Sequence, residues 1–199
     1  TPLYSSAASD VYKRQDLKAS MVIWTTTPWT LPANVGIALH PRFTYVAGKF
    51  MKDGQTETLI ILKDLLDAFA QKTGWALAET IREFKGAELE NCEARHPFLP
   101  RTSKIILADF VTTDTGTGAV HIAPGHGADD YNVGRLYGLP VLSPVDDDGK
   151  YTEEVGVPSL VGKHVFDANK DIISMLEKDD NLFGVEEYRH QYPHCWRSK

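Results

Sequence analysis

The chain has 199 residues, of which 42% are hydrophobic and 24% charged, as in an ordinary soluble globular protein of one large domain or two small ones. A formal net charge of -6 argues against a dedicated nucleic-acid-binding module with a basic face, but not against a domain that touches only the end of an RNA. No run of about 18 apolar residues and no secretory leader pattern occur, so we expect neither a membrane span nor export, and two cysteines fit a reducing compartment.

The first strand-like segment is followed by a hydroxyl-rich turn. Residues 1–15 are small and polar with no helical or strand period, so we treat them as a flank or tag-like segment outside the fold. Residues 21–24 are apolar and β-favouring, three threonines follow, and Pro28 and Pro32 then force the chain out of the sheet. The threonines indicate either a polar pocket wall or a strand end whose hydroxyls bond their own backbone, and residue types alone slightly favour the second.

The middle of the chain predicts a hairpin and a helix. Segments 43–50 and 56–62 are strand-like and flank an Asp-Gly turn signal. Residues 63–74 then place Leu65, Leu66 and Phe69 on one helical face, and the glycine that ends this segment is a natural helix stop.

The second half of the chain adds two strands and two helices. Strands are predicted within 103–113 and 119–123, and helices over 127–138 and 166–180, the last capped by Asp167. Strand segments outnumber helices. We therefore predict a mixed α/β, mainly β fold: a β-barrel or curved mixed sheet with peripheral helices.

The densest polar cluster lies at 116–131, where His121 ends a strand and the pair Asp129 and Asp130 opens a helix. The dinucleotide fingerprint is broken there, and the chain has no P-loop and no Gly-x-Ser-x-Gly elbow. His121 could donate hydrogen bonds to a carbonyl or a ribose, and Asp130 could pair with an ammonium group. Equally, His121 could be a buried histidine satisfied by backbone, and Asp130 a carboxylate that stabilises a first helical turn.

A metal site is the other interpretation of the same cluster. His121, His126, Asp129 and Asp130 are suitable ligands for a hydrolytic metal, but their spacing matches no strong metal signature. A second group at 190–195 has too few cysteines for a structural zinc site within this chain. We therefore predict no metal and no cofactor.

Two long motifs carry a resemblance to a known family. The stretches "WTTTPWTLPAN" and "GTGAVHIAPGHGADDY" resemble the editing domain of isoleucyl-tRNA synthetase, and the likeness continues through "YGLPVLSPVDDDGKYT", "GKHVFDANKDII" and "YPHCWRSK". It covers residues 16–199. The related valine and leucine enzymes carry Thr-Thr-Arg-Pro at the threonine strand, and Thr-Pro-Trp here favours the isoleucine branch. The ATP-binding signatures of the parent enzyme are missing, so the chain resembles an editing domain alone.

The resemblance implies an esterase for misacylated tRNA. It would remove valine from the isoleucine tRNA, with valyl-adenylate as a further candidate substrate, while excluding isoleucine. It implies catalytic roles for Thr25, Thr26, Thr27, His121 and Asp130, and substrate-binding roles for Trp24, Trp29, Asn34, His121 and Asp130. Asp130 would hold the α-ammonium group, and His121 would lie against the amino-acid side chain and the ribose. No residue is an obvious nucleophile, so we expect a positioned water to attack.

The expected partners are the valine-charged 3′ end of the isoleucine tRNA and the rest of a parent synthetase. We expect a cytoplasmic monomer with no membrane contact. Two alternatives stay open: a metal-dependent hydrolase using His121 and Asp130, and a non-catalytic tRNA-docking module that has lost its activity.

Overall fold

The computed structural model describes residues 3–7 and 18–185. Within these residues ten strands form one sheet, and none of the helices is long and apolar enough to cross a membrane. The strands are β1 Leu3–Ala7, β2 Ser20–Thr25, β3 Gly36–Leu39, β4 Thr44–Lys52, β5 Gln55–Leu62, β6 Ala76–Lys85, β7 Glu93–Arg95, β8 Thr102–Leu107, β9 Ala119–Ile122 and β10 Leu182–Val185. The α-helices are α1 Leu66–Thr73, α2 Ala128–Tyr137 and α3 Val165–Lys178.

Strand β2 is the junction of the sheet. Eight strands follow one another in the order β6-β4-β5-β2-β9-β3-β8-β7, and β1 pairs with β2 and β10. The beginning of β2 pairs in parallel with β5 at Ser20 and Leu59, and its end pairs in parallel with β9 at Trp24 and Val120. Because β2 changes partner along its length, the sheet curls into a half-barrel, which confirms the predicted mainly β, curved architecture.

The predicted hairpin and the helix after it are confirmed. Strands β4 and β5 pair antiparallel around Asp53 and Gly54, whose φ angles of 49° and 81° are those of a two-residue hairpin turn. Helix α1 follows a 3-10 turn at Lys63–Leu65 and ends at Gly74, whose φ of 79° is the left-handed conformation that glycine adopts readily.

Two local predictions are wrong in detail. The proline-rich segment Pro28–Ala33 is a 3-10 helix and not simply the turn expected after β2. Pro28 stands in its first turn, where the missing amide donor is not needed, and Pro32 lies inside it. The cap of α3 is His164, whose Nδ1 accepts a hydrogen bond from the Phe166 amide at 3.4 Å, and not Asp167. Asp167 lies in the first turn, where a carboxylate is favourable without capping.

Strands that the sequence pattern did not predict lie mainly at the margins of the sheet. Strand β6 is exposed along most of its length and carries helix-favouring residues, so it has no apolar alternation to detect. Residues 3–7, which we left outside the fold, form β1 along β2 and β10. The motif "YPHCWRSK" and the group at 190–195 lie outside the described residues.

The loop before β9 is anchored to β5 by a close glycine contact. Gly118 has a φ of 79°, and a Cβ atom there would lie 2.3 Å from Leu62 Cβ. The Gly118 carbonyl accepts a hydrogen bond from the Tyr45 hydroxyl at 2.6 Å, and the Leu62 amide donates to the Thr117 carbonyl at 2.9 Å. No side chain fits at this position.

We therefore expect Gly118→Ala to destabilise the fold by more than about 3 kcal/mol in urea unfolding, because it combines backbone strain with a steric clash. Gly54→Ala is the matched control: Gly54 has a φ of 81°, but no atom lies within 4 Å of the added Cβ. That change should cost about 1 kcal/mol, from backbone strain alone. Equal losses for the two variants would contradict the tight packing of the loop against β5.

Candidate functional site

A cavity of about 310 Å³ opens where β2 and β9 end and α2 begins. This volume is in the range of small-molecule sites. Six of the eight residues that the resemblance assigned to the site line it: Trp24, Thr25, Thr26, Thr27, His121 and Asp130. The curled sheet therefore brings together two motifs that lie almost a hundred residues apart in the chain.

The threonines at the end of β2 serve both purposes that the sequence left open. The Thr25 hydroxyl oxygen accepts a hydrogen bond from the Thr27 amide at 3.1 Å, which stabilises the turn. The hydroxyl of Thr27 lies 3.4 Å from those of Thr25 and Thr30, too far for strong hydroxyl hydrogen bonds. Thr25 and Thr27 thus keep hydrogen-bonding capacity for a ligand while they shape the wall of the cavity.

His121 is held by side chains at both ring nitrogens. Its Nε2 lies 2.7 Å from the Thr30 hydroxyl, and its Nδ1 lies 2.8 Å from the Asn34 amide nitrogen. The Thr30 hydroxyl donates to the Thr27 carbonyl at 2.9 Å, so its oxygen accepts from His121 Nε2–H. The ring is therefore neutral, with its proton on Nε2, and both nitrogens are already engaged within the protein.

The electrostatic setting of His121 agrees with this neutral state. Burial, with a smaller contribution from nearby His126, lowers its pKa from 6.5 to about 4. Burial also lowers the pKa of His126, whose ring meets that of Trp29 edge-on at 5.0 Å. The histidines of the cavity wall are thus uncharged at neutral pH. The hydrogen bond from His121 to a carbonyl or ribose that the sequence suggested would break the existing network.

Asp130 is the charged group of the cavity wall. Its Oδ2 accepts a hydrogen bond from the Ala123 amide at 2.8 Å, which ties the first turn of α2 to the end of β9. Burial raises its pKa, and the hydrogen bond from Ala123 opposes that rise. A Cβ atom at Gly127 would lie 3.1 Å from Asp130 Cγ, so the glycine leaves this carboxylate room.

Trp29 and Asn34 do not line the cavity, although the sequence assigned them to it. Trp29 lies behind it in the 3-10 helix, where its amide donates to Asn169 Oδ1 of α3 at 3.0 Å and its carbonyl accepts from the Tyr151 hydroxyl. Asn34 is buried and bonds to His121 from the side away from the cavity. Both support the wall and do not form it.

Sequence reasoning missed several lining residues. They are Thr30, Phe110, Thr112, Thr115 and Thr117, whereas His126, considered above only as a metal ligand, also lines the cavity. Thr30 lies three residues after Thr27, so the two share one face of the 3-10 helix region. This could not be seen from the sequence, because a turn and not a helix was predicted there. The others belong to the segment between β8 and β9, and only the folded sheet shows that they face the threonines.

The described residues contain no group of three or more histidine, cysteine, aspartate or glutamate side chains placed to hold a metal ion. His121 has no free nitrogen lone pair, because Nδ1 accepts from Asn34 and Nε2 carries the proton. The donor set of a hydrolytic metal site using His121 and Asp130 is therefore not assembled in this geometry.

Comparison with known proteins places this arrangement in a family. A profile described as "Leucyl-tRNA synthetase, editing domain" matches residues 11–170. The isoleucine--tRNA ligase of Desulforamulus reducens is 48% identical over 182 residues, which are 91% of this chain and 19% of that protein. The isoleucine--tRNA ligase of Thermotoga maritima is 50% identical over 188 residues, 94% of this chain and 20% of that protein. The chain thus spans about a fifth of the length of these curated relatives.

Solved structures share the fold at low sequence identity. The crystal structure of GlLeuRS-CP1 superposes with a TM-score of 0.69 at 15% identity, covering 94% of this chain and 99% of that one. The cytosolic leucyl-tRNA synthetase editing domain of P. falciparum gives a TM-score of 0.65 at 12% identity, covering 86% and 81%. Together with the sequence matches, these likenesses confirm the resemblance drawn from the two motifs.

The buried histidines make stability depend on pH. His121 and His96 have pKa values lowered from 6.5 to about 4 and about 3, both mainly by burial. His96 is also engaged at both nitrogens, with the Leu31 carbonyl at 2.9 Å and the Leu99 amide at 3.1 Å. Below pH 6.5 these histidines are protonated in the unfolded chain but remain neutral in the folded chain. The unfolding free energy should therefore fall as the pH is lowered.

Each histidine should contribute up to about 1.4 kcal/mol per pH unit to this slope. Urea unfolding at a series of pH values between 6.5 and about 4 gives the unfolding free energy as a function of pH. This free energy should depend less steeply on pH in His121→Gln than in the parent chain, because the unfolded variant binds about one proton fewer. His96→Gln should reduce the slope similarly. Parallel curves for the parent and both variants would show that neither ring is held neutral.

Proposed function

This chain belongs to the aminoacyl-tRNA synthetase editing-domain family, in which its curated relatives are isoleucine--tRNA ligases, and we propose that it hydrolyses valine from misacylated isoleucine tRNA. Valyl-adenylate is a second candidate substrate of the same cavity. In this proposal the chain works in the cytoplasm as part of a longer synthetase, which delivers the 3′ end of the tRNA to it.

The observation that carries the proposal is the contrast within the cavity between one carboxylate and otherwise uncharged walls. Asp130 lines the same cavity as the threonine hydroxyls and the neutral ring of His121. An aminoacyl ester offers a matching pattern: one α-ammonium group, one apolar side chain and a ribose with hydroxyls. Recognition of an ammonium by a partly buried carboxylate is a charge-assisted contact, stronger than a neutral hydrogen bond.

Binding of the ammonium group would also offset the solvation cost of the partly buried carboxylate. Burial disfavours the charged form of Asp130, as the raised pKa shows. A cation placed beside the carboxylate would lower that pKa again and favour ionisation. The Ala123 amide fixes Oδ2 at 2.8 Å, so the carboxylate is already oriented before the ligand arrives.

Water is the proposed nucleophile, since the cavity presents no activated side chain. The hydroxyls of Thr25 and Thr27, together with backbone groups and the ribose hydroxyl of the substrate, would position it. The water oxygen forms a bond to the ester carbonyl carbon, and the bond from that carbon to the ribose oxygen breaks. The ribose oxygen takes up a proton from the water, which leaves valine and a tRNA with a free terminal hydroxyl.

Selectivity would arise from the walls. In the proposed pose the neutral ring of His121 lies against the amino-acid side chain, and Trp24 bounds the cavity beside the threonines. Because the ring is hydrogen-bonded at both nitrogens, it cannot move aside for the additional methylene of isoleucine without losing a buried hydrogen bond. Valine would therefore fit and isoleucine would be excluded.

In this proposal the domain binds the single-stranded 3′ end of the tRNA and not a double helix. Stacking and ribose contacts serve that purpose without a basic groove, which suits a net charge of -6. Phe110 lines the cavity and is 41% exposed, so it offers a ring on which the terminal base could stack.

The test of the proposal is deacylation of isoleucine tRNA charged with valine or with isoleucine, by the parent chain and by Asp130→Asn. We expect the parent chain to hydrolyse the valyl ester and to spare the isoleucyl ester. Asp130→Asn should lower kcat/KM for the valyl ester roughly 10- to 100-fold, as expected for the loss of one charge-assisted hydrogen bond. The variant should be at least as stable as the parent chain, because the amide removes a charge that burial disfavours.

Asp129→Asn is the matched control. Asp129 is the preceding carboxylate in the same helical turn, but it is exposed and does not line the cavity. It should retain full activity. Hydrolysis that survives in Asp130→Asn would remove the ammonium contact from the proposal. Loss of activity with a chelator would favour a metal-dependent hydrolase, and tRNA binding without any turnover would favour a docking module.

A further inference from the structure

Behind the cavity wall lies a buried hydroxyl that the proposed reaction does not use. Ser103, in β8, has no exposed surface, and its hydroxyl donates a hydrogen bond to Asn34 Oδ1. Ser103 does not line the cavity. It reaches the cavity through Asn34 and then His121, by a chain of buried side chains from three different segments of the chain.

The orientation of the Asn34 amide follows from its partners. Asn34 Nδ2 lies 2.9 Å from the Gly36 carbonyl, which can only accept a hydrogen bond, so the amide group facing it must be the donor. The Ser103 hydroxyl then donates to Oδ1 on the other side. With the amide fixed in this way, its second N–H points to His121 Nδ1 at 2.8 Å, and that nitrogen must be the acceptor.

The opposite end of the ring leads to the same assignment. The Thr30 hydroxyl donates to a carbonyl and so accepts from His121 Nε2, which requires the proton there. Protonation of Nδ1 would place two donors, Nδ1–H and the Asn34 N–H, face to face. The network therefore fixes the tautomer and the angle of the ring, and opposes its protonation.

We infer that Ser103 is a positioning residue for selectivity: by orienting Asn34 it keeps His121 as the rigid Nε2–H tautomer whose ring face excludes the larger amino acid. This inference rests on the proposed function for its effect on selectivity, but not for its effect on the tautomer. Without the Ser103 hydroxyl, the Asn34 amide loses the donor to Oδ1. Oδ1 is then a buried acceptor with no donor, and the Gly36 carbonyl alone holds the amide. Rotation of the amide that gives up this remaining contact turns its oxygen toward His121, which lets the ring adopt the other tautomer and move.

The first measurement is the ¹⁵N spectrum of the histidine side chains in the full chain at neutral pH. The His121 signals are identified by their loss in His121→Gln. In the parent chain we expect an unprotonated Nδ1 and a protonated Nε2. Ser103→Ala should give a mixture of tautomers. Asn34→Asp, which places an acceptor at Nδ1, should give a protonated Nδ1.

The second measurement is the ratio of isoleucyl to valyl ester hydrolysis. One methylene in an apolar pocket is worth roughly 10- to 200-fold in discrimination, a range whose usual example is the isoleucine–valine pair itself. Loss of the rigid wall should therefore raise this ratio at least about tenfold in Ser103→Ala. The rate for the valyl ester should change much less, because Ser103 touches no substrate.

Thr73→Val controls for the loss of a buried hydroxyl as such. The Thr73 hydroxyl is buried, donates to the Phe69 carbonyl at 2.8 Å at the end of α1, and lies outside the cavity. Its removal should leave both the His121 tautomer and the ester ratio unchanged. A merely structural role for Ser103 would make the two variants alike.

The outcomes separate the two proposals. An unchanged His121 tautomer in Ser103→Ala overturns the role of Ser103, whatever the chain hydrolyses. A changed tautomer with an unchanged ester ratio overturns the link to selectivity. If the parent chain hydrolyses neither ester, the proposed function fails, and the tautomer measurement alone decides whether Ser103 positions His121.

Discussion

The parallel pairing of Trp24 with Val120 is the constraint on which the rest of the site depends. It joins the end of β2 to the start of β9, so the threonine turn and the strand that carries His121 meet at one edge of the sheet. Helix α2 then starts after only five intervening residues and brings Asp130 to the same place. Thr25 and His121 are thus placed by strands and Asp130 by a helix, which favours a pre-organised cavity.

The cavity wall combines one carboxylate with neutral histidine rings. The histidine rings are uncharged because burial lowers their pKa values, while the carboxylate of Asp130 stays within reach of a cation at a cost in solvation. In the proposed function, a site built in this way would discriminate by charge at one end and by shape at the other. Such a division suits a substrate that differs from its competitor by a single methylene, since charge recognition is common to both amino acids and only shape separates them.

The sequence predicted the parts of the site that local pattern encodes. The threonine run, His121 and Asp130 stand at ends of elements whose periodicity is clear, and six of the chosen residues do line one cavity. The roles of Asn34 and Ser103 could not be predicted, because their hydrogen bond joins residues 69 positions apart across the sheet. Edge strand β6 was not predicted for another reason. Its exposed residues carry no apolar alternation, and it is a strand because it pairs with β4.

The proposed site is tested most directly by a crystal structure of the chain with a non-hydrolysable amide analogue of 3′-valyl-adenosine, together with the affinity of the isoleucyl analogue. We expect the valyl group in the cavity, with its ammonium about 3 Å from the Asp130 carboxylate and its side chain against the His121 ring. The isoleucyl analogue should bind at least about tenfold more weakly. An ammonium placed away from Asp130, or equal affinity for the two analogues, would contradict it.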